Sequence, residues 1–202
     1  MELVAFIAGE PHSDNPQCAC PVLAAFVRTA NDKANKVDRQ KLKALLPHLV
    51  GSRSTQAVER KRAFSLADYA VRKWAPRSLR AAGLETEAST LEALAPIVDA
   101  QTAKAAAFSA DADAYDAYAA YAAYAAYAAD AYAAYAADDA YAYAANAANA
   151  AANAANAANA AANAAVYCSV PIEEQIAAVM EALKIVDESG ECGTVDASKE
   201  QA

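Results

Sequence analysis

The chain has 202 residues, of which 57% are hydrophobic and 21% are charged, and its net charge is −8. This length suits one domain of ordinary size, but alanine supplies much of the hydrophobic fraction and buries little area per residue. Residues 1–102 carry a net charge of +3 and residues 103–202 one of −11. Such an acidic chain is a poor candidate for wrapping nucleic-acid phosphates, so we expect nucleic acid to be excluded as a partner.

The sequence also limits where the protein works. Its first residues, MELVAFIAGEP, lack a basic segment and contain too short an apolar run for a secretory signal. The uncharged run over residues 140–172 contains six asparagines, which are costly in lipid. We therefore expect a cytoplasmic protein with no membrane contact. In that reducing setting we expect free thiols at all four cysteines, which are Cys18, Cys20, Cys168 and Cys192.

The first third of the chain predicts two helices after an irregular start. Residues up to about Gln17 are predicted to be irregular, because glycine and prolines surround a polar stretch. Pro21 suits the first turn of a helix that ends near Asn35. Asp38 is expected to cap a second helix, and Pro47 is expected to distort or end it.

A longer third helix follows, capped by Ser54 or Thr55. Pro76 is predicted to end it or to open a short helix that Gly83 terminates, and a further helix is predicted over residues 85–95. No strand-like alternation of any length occurs. Apolar residues of the third helix recur at steps of three and four and predict one buried stripe, formed by Ala63, Leu66, Ala67, Ala70 and Trp74.

Residues 103–165 form a tract with 39 alanines, 9 tyrosines, 6 asparagines and 6 aspartates. Alanine is the best helix former, so the tract is predicted to be helical. As one helix it would extend about 95 Å, too long for the rest of the chain to pack, so it either projects or folds back. We expect a break near residues 138–140, because two adjacent acidic residues there can start a new helix and leave two antiparallel helices.

The two halves of the tract differ in period. Tyrosines three residues apart wind around a helix, which indicates a helix with neighbours on all sides. The asparagines alternate steps of three and four, so they stay on one side, which we expect to face water. After the tract, Pro171 is predicted to start a closing helix whose apolar stripe comprises Ile172, Ile176, Val179, Leu183 and Val186.

These elements predict an all-α helical bundle, in which long alanine-rich helices pack against an N-terminal helical head. The head is assigned to residues 1–100 and the repeat to residues 101–166. The closing helix is assigned to residues 167–190, and residues 191–202 are predicted to be a loose tail.

Few residues suggest catalysis or cofactor binding. Cys18 and Cys20 have C-x-C spacing, whereas zinc sites use C-x-x-C pairs or a nearby Cys/His set. A nucleophile pair of His12 with Cys18 would lack an orienting group and an oxyanion hole. Glycine-rich phosphate loops are absent. We therefore expect no enzyme activity, no cofactor and no metal.

Two sets of residues are candidates for binding surfaces, and each set also has an ordinary structural interpretation. Tyrosine suits interfaces, but it also fills space between alanine-faced helices. The basic helix could bind an anion, or its charges could mark a solvated face. The partner-binding candidates are Tyr118, Tyr121, Tyr124, Asp130, Asp138 and Asp139, and the anion-binding candidates are Arg60, Arg62 and Arg72.

The block from Cys20 to Ile97, followed by AAYAAYAA-type triplets, resembles bacterial and phage proteins that join a short helical head to alanine-rich A-A-x repeats. The repeat is also similar to sequences described as immunity proteins of the Imm-5-like type. That resemblance implies neutralisation of a toxin by binding, and it carries no functional residue to this chain.

Three functions remain open. The first hypothesis is a non-enzymatic binding protein, immunity-like or a phage-encoded inhibitor, that occludes a protein partner. The second is a structural or self-assembling protein, which predicts a homo-oligomer. The third is a protein that binds a small anion or nucleotide with the basic helix near Arg60–Arg62.

Overall fold

The computed structural model describes residues 1–112, 156–166 and 168–186; the predicted break near residues 138–140 and the tail 191–202 lie outside them. Within the described ranges every regular element is helical, so the predicted all-α bundle is confirmed. The α-helices, numbered in chain order, are α1 (Glu2–Ala8), α2 (Pro21–Lys33), α3 (Lys36–Lys41), α4 (Leu46–Leu49), α5 (Gln56–Asp68), α6 (Ala75–Ala81), α7 (Glu85–Ala93), α8 (Ala100–Ala112), α9 (156–166) and α10 (Ile172–Leu183).

The start of the chain is helical, so the prediction that residues up to Gln17 are irregular is wrong for α1. Gly9 follows this helix with a φ of 73° and ends it. The amides of Gly9 and Glu10 donate to the carbonyls of Phe6 at 3.1 Å and Ala5 at 2.9 Å. A glycine in the left-handed region with these two bonds is a common helix stop, so the residue that suggested a loop marks the end of a helix.

Helix α2 begins at Pro21, as predicted. Asn35 caps α3, because its side chain accepts the amide of Asp38 at 3.0 Å. The prediction that Asp38 is the cap is therefore wrong by three residues. The distortion expected at Pro47 is confirmed, since a 3-10 turn over Leu42–Leu45 precedes the short helix α4.

Helix α5 continues through a π-helical segment, Tyr69–Trp74, into α6. The Thr55 hydroxyl accepts the amide of Val58 at 3.4 Å, so Thr55 is the cap. Pro76 lies in the first turn of α6, where it lacks an N–H group and its ring crowds the preceding turn, so the helix widens before it. The predicted stripe is buried throughout, at Ala63, Leu66, Ala67, Ala70 and Trp74.

Helix α5 and the π-helical segment that continues it lie between two apolar clusters. On one side Leu66 and Trp74 pack with residues of α2, α9 and α10. On the other side Phe64 and Val71 pack with residues of α6, α7 and α8. The Trp74 ring lies 6.2 Å from the Phe26 ring, measured between centroids. Helix α5 is therefore the central element against which both halves of the described fold pack.

Helix α9 shows how part of the asparagine segment packs. The alanines between residues 157 and 165 are buried, whereas Asn156 is exposed and Asn159 and Asn163 are half-buried. The predicted one-sided pattern is thus confirmed for these three asparagines. The stripe does not lie wholly in water, however, because the hydroxyl of Thr29 in α2 donates to Asn159 Oδ1 at 2.8 Å.

Helix α10 follows Pro171, as predicted, and completes the core with Ile172 and Val179. Its first-turn carboxylates pair with the head, through Lys41 at 2.7 Å and Arg77 at 2.9 Å. The predicted stripe is wrong at Val186, which is 52% exposed because α10 ends three residues earlier. The domain limits inferred from the sequence stay predictions.

Candidate functional site

Three large apolar side chains are exposed on α1. Leu3, Phe6 and Ile7 are 44%, 77% and 52% exposed, and their spacing of three and four residues places them on one side of the helix. The opposite side buries Val4 and Ala5. Helix α1 is therefore apolar on both sides, a pattern typical of a helix with neighbours all round. We call Leu3, Phe6 and Ile7 the α1 face.

The connection from α1 to α2 is held by a carboxylate. Glu10 accepts the amide of Gln17 at 2.7 Å with one oxygen and the amide of Cys18 at 2.6 Å with the other. The Cys18 carbonyl in turn accepts the amide of Arg53 at 3.0 Å. These bonds fix the chain that leaves α1, so the α1 face is presented on a rigid support.

A buried polar network lies behind this connection. The Ser52 hydroxyl accepts the amide of Cys20 at 2.9 Å and donates to the Leu49 carbonyl at 2.7 Å. Arg62, only 3% exposed, donates to the carbonyls of Ser52 at 2.6 Å and Ile185 at 3.1 Å. Arg62 therefore ties α5 both to the turn that precedes it and to the chain that follows α10.

Glu59 and Cys20 are buried beside Arg62. The carboxylate of Glu59 lies 3.4 Å from Arg53 Nε. Burial raises the pKa of the Glu59 carboxyl, although Arg53 and Arg62 act in the opposite direction. Burial, and then the charge of Glu59, raise the pKa of the Cys20 thiol. Burial also raises the pKa of Cys18, so both thiols of the C-x-C motif are weak nucleophiles.

The described part of the chain contains no group of three His, Cys, Asp or Glu side chains that could hold a metal ion. Cys18 and Cys20 carry free thiols. No helix in the same part is both long and apolar enough to cross a lipid bilayer.

A cleft of about 360 Å³ lies beside α5. Lys61, Ser65 and Asp68 line one wall, and steps of four and three residues place them along one side of the helix. The segment 96–98, together with Ile185, forms an apolar wall. We call this concavity the α5 cleft.

The predicted anion-binding arginines do not share one solvent-facing side. Arg62 is buried, so it does not lie on the solvated face that the sequence suggested. Arg60 is half-buried, and Arg72 pairs with Asp68 at 3.0 Å. Anion binding at these arginines stays a prediction. The partner-binding candidates all lie outside the described residues, namely Tyr118, Tyr121, Tyr124, Asp130, Asp138 and Asp139.

Neither the α1 face nor the α5 cleft was predicted from the sequence. The spacing of Leu3, Phe6 and Ile7 was a sufficient indication of a helix, but the nearby glycine and prolines outweighed it. Lys61 and Asp68 belong to the correctly predicted third helix. Their cleft arises from an apolar segment some thirty residues further along, which no local pattern connects to them.

Comparisons with protein-family models, curated proteins and solved structures found no match. The resemblance to immunity proteins stays a hypothesis.

Proposed function

We propose that this chain is a non-enzymatic binding protein that acts by occluding a protein partner, in the manner of an immunity protein or a phage-encoded inhibitor. The α1 face is the observation that carries this proposal. Helix α1 buries Val4 and Ala5 on one side and leaves Phe6 77% exposed on the other. Apolar surface exposed to water in this way is unfavourable, so covering it with a partner stabilises the complex.

The size of the α1 face fits the centre of an interface. Phe6 alone offers roughly 150–250 Å² when it is fully buried. A stable complex covers about 800 Å² per partner, so α1 supplies the apolar centre and neighbouring polar residues supply the rim. Aromatic anchors at such centres carry a large share of the binding free energy.

Charge defines the partner further. Glu2, at the edge of the α1 face, is exposed and lies 3.7 Å from His12. Residues 1–102, which include α1, carry a net charge of +3, so the negative charge beside the face is that of Glu2 itself. The complementary partner therefore presents an apolar groove with a basic residue opposite Glu2.

The polar groups near α1 support binding rather than turnover. The carboxylate of Glu10 is occupied by two backbone amides, and Arg62 by two carbonyls. The thiol of Cys20 is buried with a raised pKa. These groups hold the fold, and a nucleophile at Cys20 would be mostly protonated at neutral pH.

Co-purification from a lysate of the source organism tests the proposal. Tagged wild type is compared with Phe6→Ser and with Val37→Ser, whose parent side chain is 69% exposed on α3. We expect one protein to be recovered in stoichiometric amount with wild type and Val37→Ser and to be lost with Phe6→Ser. Failure to recover any stoichiometric protein, or its retention by Phe6→Ser, contradicts the proposal.

Self-association is a second candidate, because the same α1 face could pair with a second copy. It predicts a dimer in sedimentation velocity that dissociates in Phe6→Ser. A monomer at high concentration, combined with a partner recovered as described, removes this candidate.

A further inference from the structure

The α5 cleft combines an apolar wall with a cation. The apolar surface comes from Pro96, Val98 and Ile185, and Val98 is 62% exposed. Lys61, which is exposed, lines the opposite wall. At about 360 Å³, the cleft falls within the range of about 300–1,000 Å³ that small-molecule sites occupy.

Among the described residues that line the cleft, Lys61 carries the one charge available to a ligand. Asp68 accepts hydrogen bonds from Arg72, at 3.0 and 3.3 Å to its two oxygens, and from the Ile97 amide at 2.9 Å. Its negative charge is balanced by the guanidinium of Arg72. Among the residues that the structure describes, no carboxylate forms an ion pair with the exposed Lys61.

The apolar wall is already in place. Asp68 holds the amide of Ile97, and the Thr102 hydroxyl accepts the amide of Val98 at 3.1 Å. Thr102 is fixed in turn, since its own amide donates to Asp99 at 2.8 Å in the first turn of α8. A ligand therefore does not have to order the wall, which lowers the entropic cost of binding.

We infer that the α5 cleft binds a small amphipathic carboxylate, such as a medium-chain fatty acid. The carboxylate accepts hydrogen bonds from the Lys61 ammonium and the Ser65 hydroxyl, and the apolar body covers Pro96 and Val98. A single accessible cation balances one negative charge. Nucleotides and other polyanions are disfavoured, because Lys61 balances only one of their negative charges.

Calorimetric titration of the full chain with three matched probes tests this inference. Decanoate, decanol and decylamine share one apolar body and differ in head-group charge. We expect decanoate to bind about tenfold more tightly than decanol, and decylamine to bind most weakly, because only the carboxylate pairs with Lys61.

Three variants assign the site. Lys61→Met is expected to reduce decanoate affinity to that of decanol and to leave decanol unchanged. Val98→Asp is expected to abolish binding of both, and Lys43→Met, at an exposed lysine outside the cleft, is expected to change neither. Equal affinity for decanoate and decanol, unchanged decanoate binding in Lys61→Met, or no binding at millimolar decanoate would each overturn the inference.

Discussion

Replacement of Arg62 by leucine tests whether the buried network holds the fold together. Arg62 donates to the carbonyls of Ser52 at 2.6 Å and Ile185 at 3.1 Å, and leucine leaves both acceptors without this donor. A hydrogen bond from a charged donor contributes about 1.5–3 kcal/mol. Glu59 also loses one of two cations that oppose the effect of its burial. Since leucine restores some apolar burial, we expect the free energy of unfolding to fall by about 3–5 kcal/mol.

Urea unfolding measures this loss through the fluorescence of Trp74, the single tryptophan, which is buried. With an m-value of about 2 kcal/mol per M, the midpoint should fall by about 1.5–2.5 M. Arg77→Leu is the matched control, because Arg77 joins Glu174 of α10 through side chains that are 48% and 46% exposed. It should cost less than about 1 kcal/mol. Equal losses in the two variants would refute a structural role specific to Arg62.

Three further predictions concern strain, pH and thiol access. Ser169 lies in the turn after α9 with a φ of 51°, which glycine adopts without strain. Ser169→Gly should therefore raise the free energy of unfolding by about 0.5–1 kcal/mol in thermal denaturation, and a loss of stability would contradict this. Burial raises the folded pKa of Glu59 above its ordinary 4.5, so the protonated carboxyl favours folding at low pH and this contribution is lost as pH rises through the raised pKa. The free energy of unfolding of Glu59→Gln should therefore increase relative to that of wild type as pH rises above 4.5. If the difference between the two proteins did not change with pH, the raised pKa of Glu59 would be excluded as its cause. Peptide mapping after iodoacetamide treatment measures thiol access. Cys18 should react more slowly than an exposed thiol, and Cys20 and Cys168 should react only after unfolding. Rapid labelling of Cys20 in the native protein would contradict its burial.

Local chemistry made much of the helical fold predictable. Pro21 and Thr55 start helices where the sequence placed them, because a first-turn proline and a capping hydroxyl act within one turn. The same rules left the start of α3 ambiguous, since Asn35 and Asp38 are both good caps in neighbouring positions. Helix α1 was missed because Gly9 was interpreted as part of a loop when it ends a helix.

Long-range contacts limited what could be predicted about the sites. Arg62 and Ile185 are separated by 123 positions in sequence, so no local pattern shows that this arginine is buried. Thr29 and Asn159 are separated by 130 positions in sequence and are also brought together only by the fold. Their hydrogen bond places part of the asparagine stripe, which was expected to face water, in an interface between helices. Sequence periodicity identified the helix that carries Lys61, but its role depends on which segment the fold places opposite.

The α1 face is tested most directly by the affinity of the purified partner for wild type and for Phe6→Ala. Truncation of an aromatic anchor at the centre of an interface costs about 2–4 kcal/mol, so Kd should rise by about 30- to 1,000-fold. Val37→Ala, at a 69% exposed apolar residue on α3, should change Kd by less than about threefold. A Phe6→Ala variant that remains folded and binds with the wild-type Kd would contradict the assignment of the α1 face as the binding surface.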